Sequence, residues 1–171
     1  MTYSEAAAFW GSDDLITLGM QASALRAKLD PFGVVTYCVT SDESPLRVTI
    51  TSGEPVEHLL EYLEQARQAR PVAVQPLWEA PVAGSSSGGA GHATEYLKLV
   101  ALCRLYLDDL PLIQAAPGIT GLKVAQLALR FGANDLGNAK GDGTEESFRR
   151  LIRDAGFTPQ QRDAAFTVCF L

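Results

Sequence analysis

Short runs of β-branched and aromatic residues alternate with amphipathic helical stretches along this chain, and that alternation limits the fold more than anything else in it. Residues 34–40 (VVTYCVT) have no helical period and read as a buried strand, and residues 46–51 (LRVTIT) read as a second. Pro55 suits the first position of a helix whose apolar face is Val56, Leu59, Leu60 and Leu63, closed by Pro71. Residues 72–75 and 112–115 are further strand candidates, residues 132–136 a weak one, and residues 166–171 are apolar enough to dock as a terminal strand. Helices fit residues 119–130, residues 144–155 with Thr144 at the start and Gly156 at the stop, and a stretch that Thr94 would cap. Two more open the chain, a short one capped by Ser4 and a longer one over residues 13–29 capped by Ser12. Strands and helices in this order imply parallel β/α units with about five or six strands. A closed eight-stranded barrel typically takes about 250 residues, and this chain has 171.

One domain, residues 1–171, accounts for the length. Within it we distinguish a helical leader (1–32), an N-terminal β/α part (33–75), a flexible Gly/Ser loop (76–92, with GSSSGGAG at its centre) and a C-terminal β/α part (93–171). Fourteen basic residues against 20 acidic ones give a net charge of −6, which disfavours nucleic acid and anionic membrane as partners. No apolar run reaches the ~18 residues of a membrane span, and the N-terminus lacks the pattern of a secretory signal. Cys38, Cys103 and Cys169 are odd in number, widely spaced and set in apolar runs, so they read as reduced core residues of a cytoplasmic protein.

Several stretches are specific in themselves. Residues 97–116 (LKLVALCRLYLDDLPLIQAA), residues 122–136 (LKVAQLALRFGANDL), GTEESF and AGFTPQQRD together resemble, in order, the C-terminal part of a radical-SAM subfamily. That subfamily contains the futalosine-pathway menaquinone enzymes and the deazaflavin-cofactor (F0) synthases. The N-terminal half is similar to a reduced version of the family's start, and the Ser52–Gly53–Glu54–Pro55 stretch resembles its Gly-Gly-Glu-Pro element. The resemblance implies a partial TIM-like parallel β/α barrel, half to two-thirds of a full one, with N-terminal helices in front.

The departure from the family is chemical. Its members bind a [4Fe–4S] cluster through a CxxxCxxC loop after the first strand, and no such loop is present here. The resemblance therefore implies a truncated, cluster-less relative, a pseudoenzyme with no resident metal, in which SAM is the one cofactor left open. We expect a non-catalytic protein that binds a small polar or nucleoside-like ligand or a partner. The alternative is an enzyme of menaquinone or related cofactor biosynthesis that keeps SAM or nucleoside binding. A sheet that does not close leaves open edges, for which a homodimer is the economical cover.

The candidate ligand residues are Asn134, Asp135, Arg104, Gln114, Gly53 and Glu54. Asn134 and Asp135 follow a predicted strand, where α/β folds place ligands, but an Asx turn explains them as well. Arg104 lies on an otherwise apolar helix face and needs an acidic partner, for which Asp135 and Glu79 are the candidates; a ligand clamp is the other reading. Gln114 either points into a barrel mouth or is a satisfied core amide. Gly137, Gly141 and Gly143 could expose amides to an anion or form only a flexible turn. His58 and His92 are isolated from each other and read as a solvated residue and a helix-entry residue, with no metal site between them.

Overall fold

The computed structural model describes residues 1–40, 44–79, 90–139 and 144–169. The chain runs α1 (Tyr3–Gly11), α2 (Leu15–Leu29), β1 (Val34–Cys38), β2 (Leu46–Thr51), α3 (Val56–Ala69), β3 (Ala73–Glu79) and α4 (Ala90–Tyr106). It continues through β4 (Leu112–Ile113), α5 (Pro117–Thr120), α6 (Leu122–Ala128), β5 (Asp135–Asn138), α7 (Glu145–Asp154) and β6 (Thr158–Arg162). Every paired strand is parallel. Two three-stranded sheets, β2-β3-β4 and β5-β1-β6, meet where Gln114 bridges Asp135. There the Ala115 amide donates to the Asp135 carbonyl at 2.8 Å and the Asn134 amide to the Ile113 carbonyl at 3.0 Å. The strands therefore follow one another in the order β2-β3-β4-β5-β1-β6.

Local chemistry sets the helix ends. Thr2 and Glu5 form a reciprocal capping box at α1, two residues ahead of the expected Ser4 cap, and Asp14 rather than Ser12 caps α2 through the Thr17 amide. Pro55, expected at the first position of α3, stands one residue ahead of it as the N-cap, and Thr144 caps α7 in a box with Ser147. Thr94 lies inside α4, not at its start. The helix expected over residues 119–130 is broken at Gly121, whose φ of +82° no helix interior allows.

The strands correct the sequence reading in three places. β3 runs on through Pro76 to Glu79, although proline normally stops a strand. The Val74 carbonyl accepts from the Gln114 amide, so residues of that parity face β4. Pro76 has the same parity and no amide to offer Gln114, and the β3–β4 ladder ends there. β5 starts at Asp135, because Gly132 turns the backbone at φ +100° just before it. At the C-terminus the strand is the polar TPQQR of β6, and the apolar stretch after it contributes an antiparallel bridge at Val168. Phe170 and Leu171, residues 80–89 of the Gly/Ser loop, and Gly141 and Gly143 lie outside the described residues.

The core lies between the sheet and the helices. Val48, Ile50 and Val74 on the strands meet Leu59, Leu60 and Leu63 of α3 and Leu99, Val100, Leu102 and Cys103 of α4, all of them buried. No described helix is long and apolar enough to cross a membrane.

Candidate functional site

Because side chains alternate across a strand, register decides which residues share a face. Arg47 pairs with Gln75, Gln114 with Asp135, Asp135 with Thr36, and Thr36 with Gln160. Val74 pairs with Ile113, which sets Gln75 beside Gln114. The result is a row of six polar residues, Arg47–Gln75–Gln114–Asp135–Thr36–Gln160, across all six strands on the face turned away from the helices.

Asp135 is the centre of that row. It is fully buried, and its carboxylate accepts from Gln114 Nε2 (2.9 Å), the Gly137 amide (2.8 Å), Arg162 Nε (2.6 Å) and Nη2 (2.7 Å), and the Thr36 hydroxyl. Gly137, at φ +68°, turns its amide back toward Asp135. The bidentate Arg162 pair neutralises the carboxylate in a fork geometry. Arg162 stacks in turn on Phe166, 4.4 Å from the ring centroid. Gln75 Nε2 donates to Gln114 Oε1 at 2.8 Å, so orientation passes along the row from Asp135 to Gln114 to Gln75.

Arg104 and Asn134 form a separate cluster, and the expected acidic partner of Arg104 is not the observed one. Asp135 is engaged by Arg162. Arg104 donates instead to the carbonyls of Gly132 (2.9 Å) and Leu110 (2.7 Å) and to Asn134 Oδ1 (2.8 Å). Asn134 Oδ1 also accepts the Ile113 amide, and its Nδ2 donates to the Pro111 carbonyl. Three neutral oxygens satisfy the donors without supplying a counter-charge. Burial, together with the nearby Arg26 charge, accordingly lowers the Arg104 pKa to about 10.

Gly53 and Glu54 end β2. Gly53 takes the turn at φ +85°. The Glu54 carboxylate accepts the Thr51 amide at 2.9 Å and meets His58 Nδ1 at 3.1 Å, so both of its oxygens are engaged beside their own strand. The His58 side chain is half exposed.

A cleft of about 260 Å³ opens beside the row, lined by Arg47, Gln75, Gly137 and Asn138 together with the segment from Ala115 to Ile119. Asp135 and Gln114, both singled out from the sequence, are brought together in the row, whereas Asn134 with Arg104, and Gly53 with Glu54, form two other clusters. Thr36, Gln75, Arg47, Gln160 and Arg162 were not singled out. For Thr36, Arg47 and Gln75 the signal available was strand parity, each being a polar residue within an otherwise apolar strand, whereas Gln160 and Arg162 lie in the polar TPQQR and carry no such signal.

The residues do not fit an iron–sulfur cluster. Cys38 sits on β1, Cys103 within α4 and Cys169 in the segment after β6. Burial pushes the Cys103 thiol up to about 12, away from the thiolate that cluster ligation requires. Among the described residues, no group of three or more His, Cys, Asp or Glu is placed to hold a metal ion.

In comparison with known proteins, residues 88–169 match the family described as the CofH/MqnC C-terminal region. The chain is 36% identical over 84 residues to a cyclic dehypoxanthine futalosine synthase of Streptomyces coelicolor, a match covering 42% of this chain and 21% of that protein. It is 34% identical over 86 residues to the synthase of the same name from Halalkalibacterium halodurans, covering 43% and 23%. A 5-amino-6-(D-ribitylamino)uracil–L-tyrosine 4-hydroxyphenyl transferase of Methanopyrus kandleri is 37% identical over 98 residues, covering 48% of this chain and 26% of its own length. These matches span about a quarter or less of the relatives' own length. The family match, residues 88–169, includes Gln114, Asp135 and Arg162 but not Thr36, Arg47 or Gln75.

Proposed function

We propose that this protein, whose residues 88–169 match the CofH/MqnC C-terminal region, is a cluster-free relative of the menaquinone and F0 biosynthesis enzymes that binds a small, polar, nucleoside-like ligand without radical chemistry. The strand order, with β1 next to the last strand of the β/α series, reads as part of a TIM-like barrel. Ligands of such folds sit at the carboxyl ends of the strands, and the cleft beside the row takes in the carboxyl end of β5 at Gly137 and Asn138.

The observation that carries this reading is the row itself. Asp135 is saturated by five donors, so it positions Gln114 and Gln75 rather than meeting a ligand. Arg47 and Gln75 face the cleft. Arg47 is exposed and, among the described residues, its guanidinium has no partner, so it offers charge to a ligand carboxylate or phosphate. Gln75 has given one amide proton to Gln114 and retains its carbonyl for a base or sugar hydroxyl. The relatives are named for a futalosine and for a ribitylamino-uracil.

A thermal-shift panel of SAM, methylthioadenosine, futalosine-like nucleosides and ribityl-uracils tests the proposal. Saturation at ~100 times Kd adds about 2.7 kcal/mol, a rise of roughly 5–10 °C for a chain of this size. Arg47→Ala should abolish the rise while leaving the basal Tm unchanged. A flat response to every compound overturns the proposal.

A further inference from the structure

The two outer edges of the sheet are finished differently. In β6, the Thr158 amide donates to the Gly33 carbonyl, so even-numbered residues face β1 and odd-numbered ones face outward. Pro159 has no amide proton to offer, the Gln161 carbonyl accepts from the Cys169 amide, and the Asp163 amide donates to the Thr167 carbonyl. That edge is closed by the chain's own C-terminal return.

At β2 the Ser52 amide donates to the Glu79 carbonyl, so even residues face β3 and Arg47, Thr49 and Thr51 face outward. Glu54 takes both groups of Thr51: its carboxylate accepts the Thr51 amide and its own amide donates to the Thr51 carbonyl. Pro45, at the other end, has no donor. Among the described residues, the outward amide and carbonyl groups of Arg47 and Thr49 alone stay unpaired along β2.

We propose that β2 is the self-association edge of this protein, pairing antiparallel with β2 of a second copy about a two-fold axis at Val48. The free groups fit this register and no wider one. Arg47 stands opposite Thr49 of the second copy, and each such pair exchanges two hydrogen bonds, so four form in all. Beyond them Thr51 meets Pro45 of the other copy, a position where Glu54 has used the donor on one strand and proline lacks it on the other. Charge selects the same centre: an axis at Arg47 would oppose two guanidiniums, whereas this one sets each against a threonine. Leu46, 38% exposed, comes to lie across from Ile50 of the second copy, which covers its apolar surface. Arg47 also lines the cleft, so the second copy extends the cleft wall. The pairing follows from hydrogen-bond accounting and does not depend on which ligand the cleft takes.

Sedimentation velocity of the full chain over a dilution series ending at about 100 μM, together with two variants, tests this. The wild type is expected to show a concentration-dependent dimer. Thr49→Pro removes an outward donor without touching the β2–β3 ladder, and Leu46→Lys puts charge at the apolar contact. Each should weaken the dimer by about tenfold or more, roughly 1.4 kcal/mol, with the far-ultraviolet circular dichroism of the monomer unchanged. Val48→Cys should give an intermolecular disulfide between the two substituted positions on mild oxidation, located by peptide mass spectrometry, because a non-hydrogen-bonded antiparallel pair brings the two Cα atoms close. A single-chain mass for the wild type throughout the series overturns the proposal. So does a dimer that survives both Thr49→Pro and Leu46→Lys.

Discussion

Asp135 and Arg162 are fully buried on strands that are not neighbours, with β1 between them, and their bond carries the polar row. Removing one charge from a buried pair costs far more than removing both, since the survivor stays desolvated without that counter-charge. Asp135→Asn should therefore lower stability by about 3–5 kcal/mol in urea melts, and the double variant Asp135→Asn/Arg162→Met should recover a measurable part of that loss. Equal losses for the single and double variants would mean that the pair is not the keystone. Cys103 and Tyr96 give a second residue-level expectation, because burial raises both pKa values, that of Cys103 to about 12. The unfolded chain releases the thiol proton near pH 9 while the native state keeps it, so the folded form binds more protons between these limits. The contribution is complete below about pH 9 and falls as pH rises toward 12, by at most ~1.4 kcal/mol per pH unit for one proton. Thermal melts at about pH 8 to 11 should show this decline, and Cys103→Ala should flatten it.

Gly132, read from the sequence as the first residue of a weak strand, instead turns the chain ahead of β5. At φ +100°, a Cβ there would come within 2.8 Å of Arg104 Cβ and Cγ, in the buried shelf where Arg104 donates to the Gly132 carbonyl. Gly132→Ala should cost about 1–3 kcal/mol in chemical denaturation, from backbone strain and displacement of Arg104. Where patterning and breakers agreed, the elements could be read directly: Leu46–Thr51 is bounded by Pro45 and Ser52–Gly53, and Thr144 announces α7. Where a tertiary contact overrides local chemistry, they could not. Pro76 sits in a strand because β3 stays paired with β2 past the point where its ladder with β4 ends, and TPQQR becomes a strand because β1 offers it an edge. The site divides in the same way. Asp135 and Gln114 stand out in the sequence because polar residues follow an apolar run. Arg162 and Thr36 become partners only through a register that no local pattern encodes.

On the scale of the molecule, β1 has β5 on one side and β6 on the other, so a strand from the first quarter of the chain is held by the last quarter. A chain ending at Gly156 would lack β6 and Arg162, leaving β1 as a second open edge and Asp135 without its counter-charge. Such a truncation should aggregate on expression, seen as loss of soluble monomer in size-exclusion chromatography, whereas the full chain stays soluble. A soluble and cooperatively melting truncation would place the stabilising centre elsewhere.

The Thr36–Asp135 hydrogen bond joins residues 99 positions apart, and the neighbour of β1 on its other side is made later still. During synthesis, β1 leaves the ribosome long before either flanking strand exists. β1 must then wait, unpaired and in reach of chaperones, until about a hundred further residues and both flanking strands have followed it.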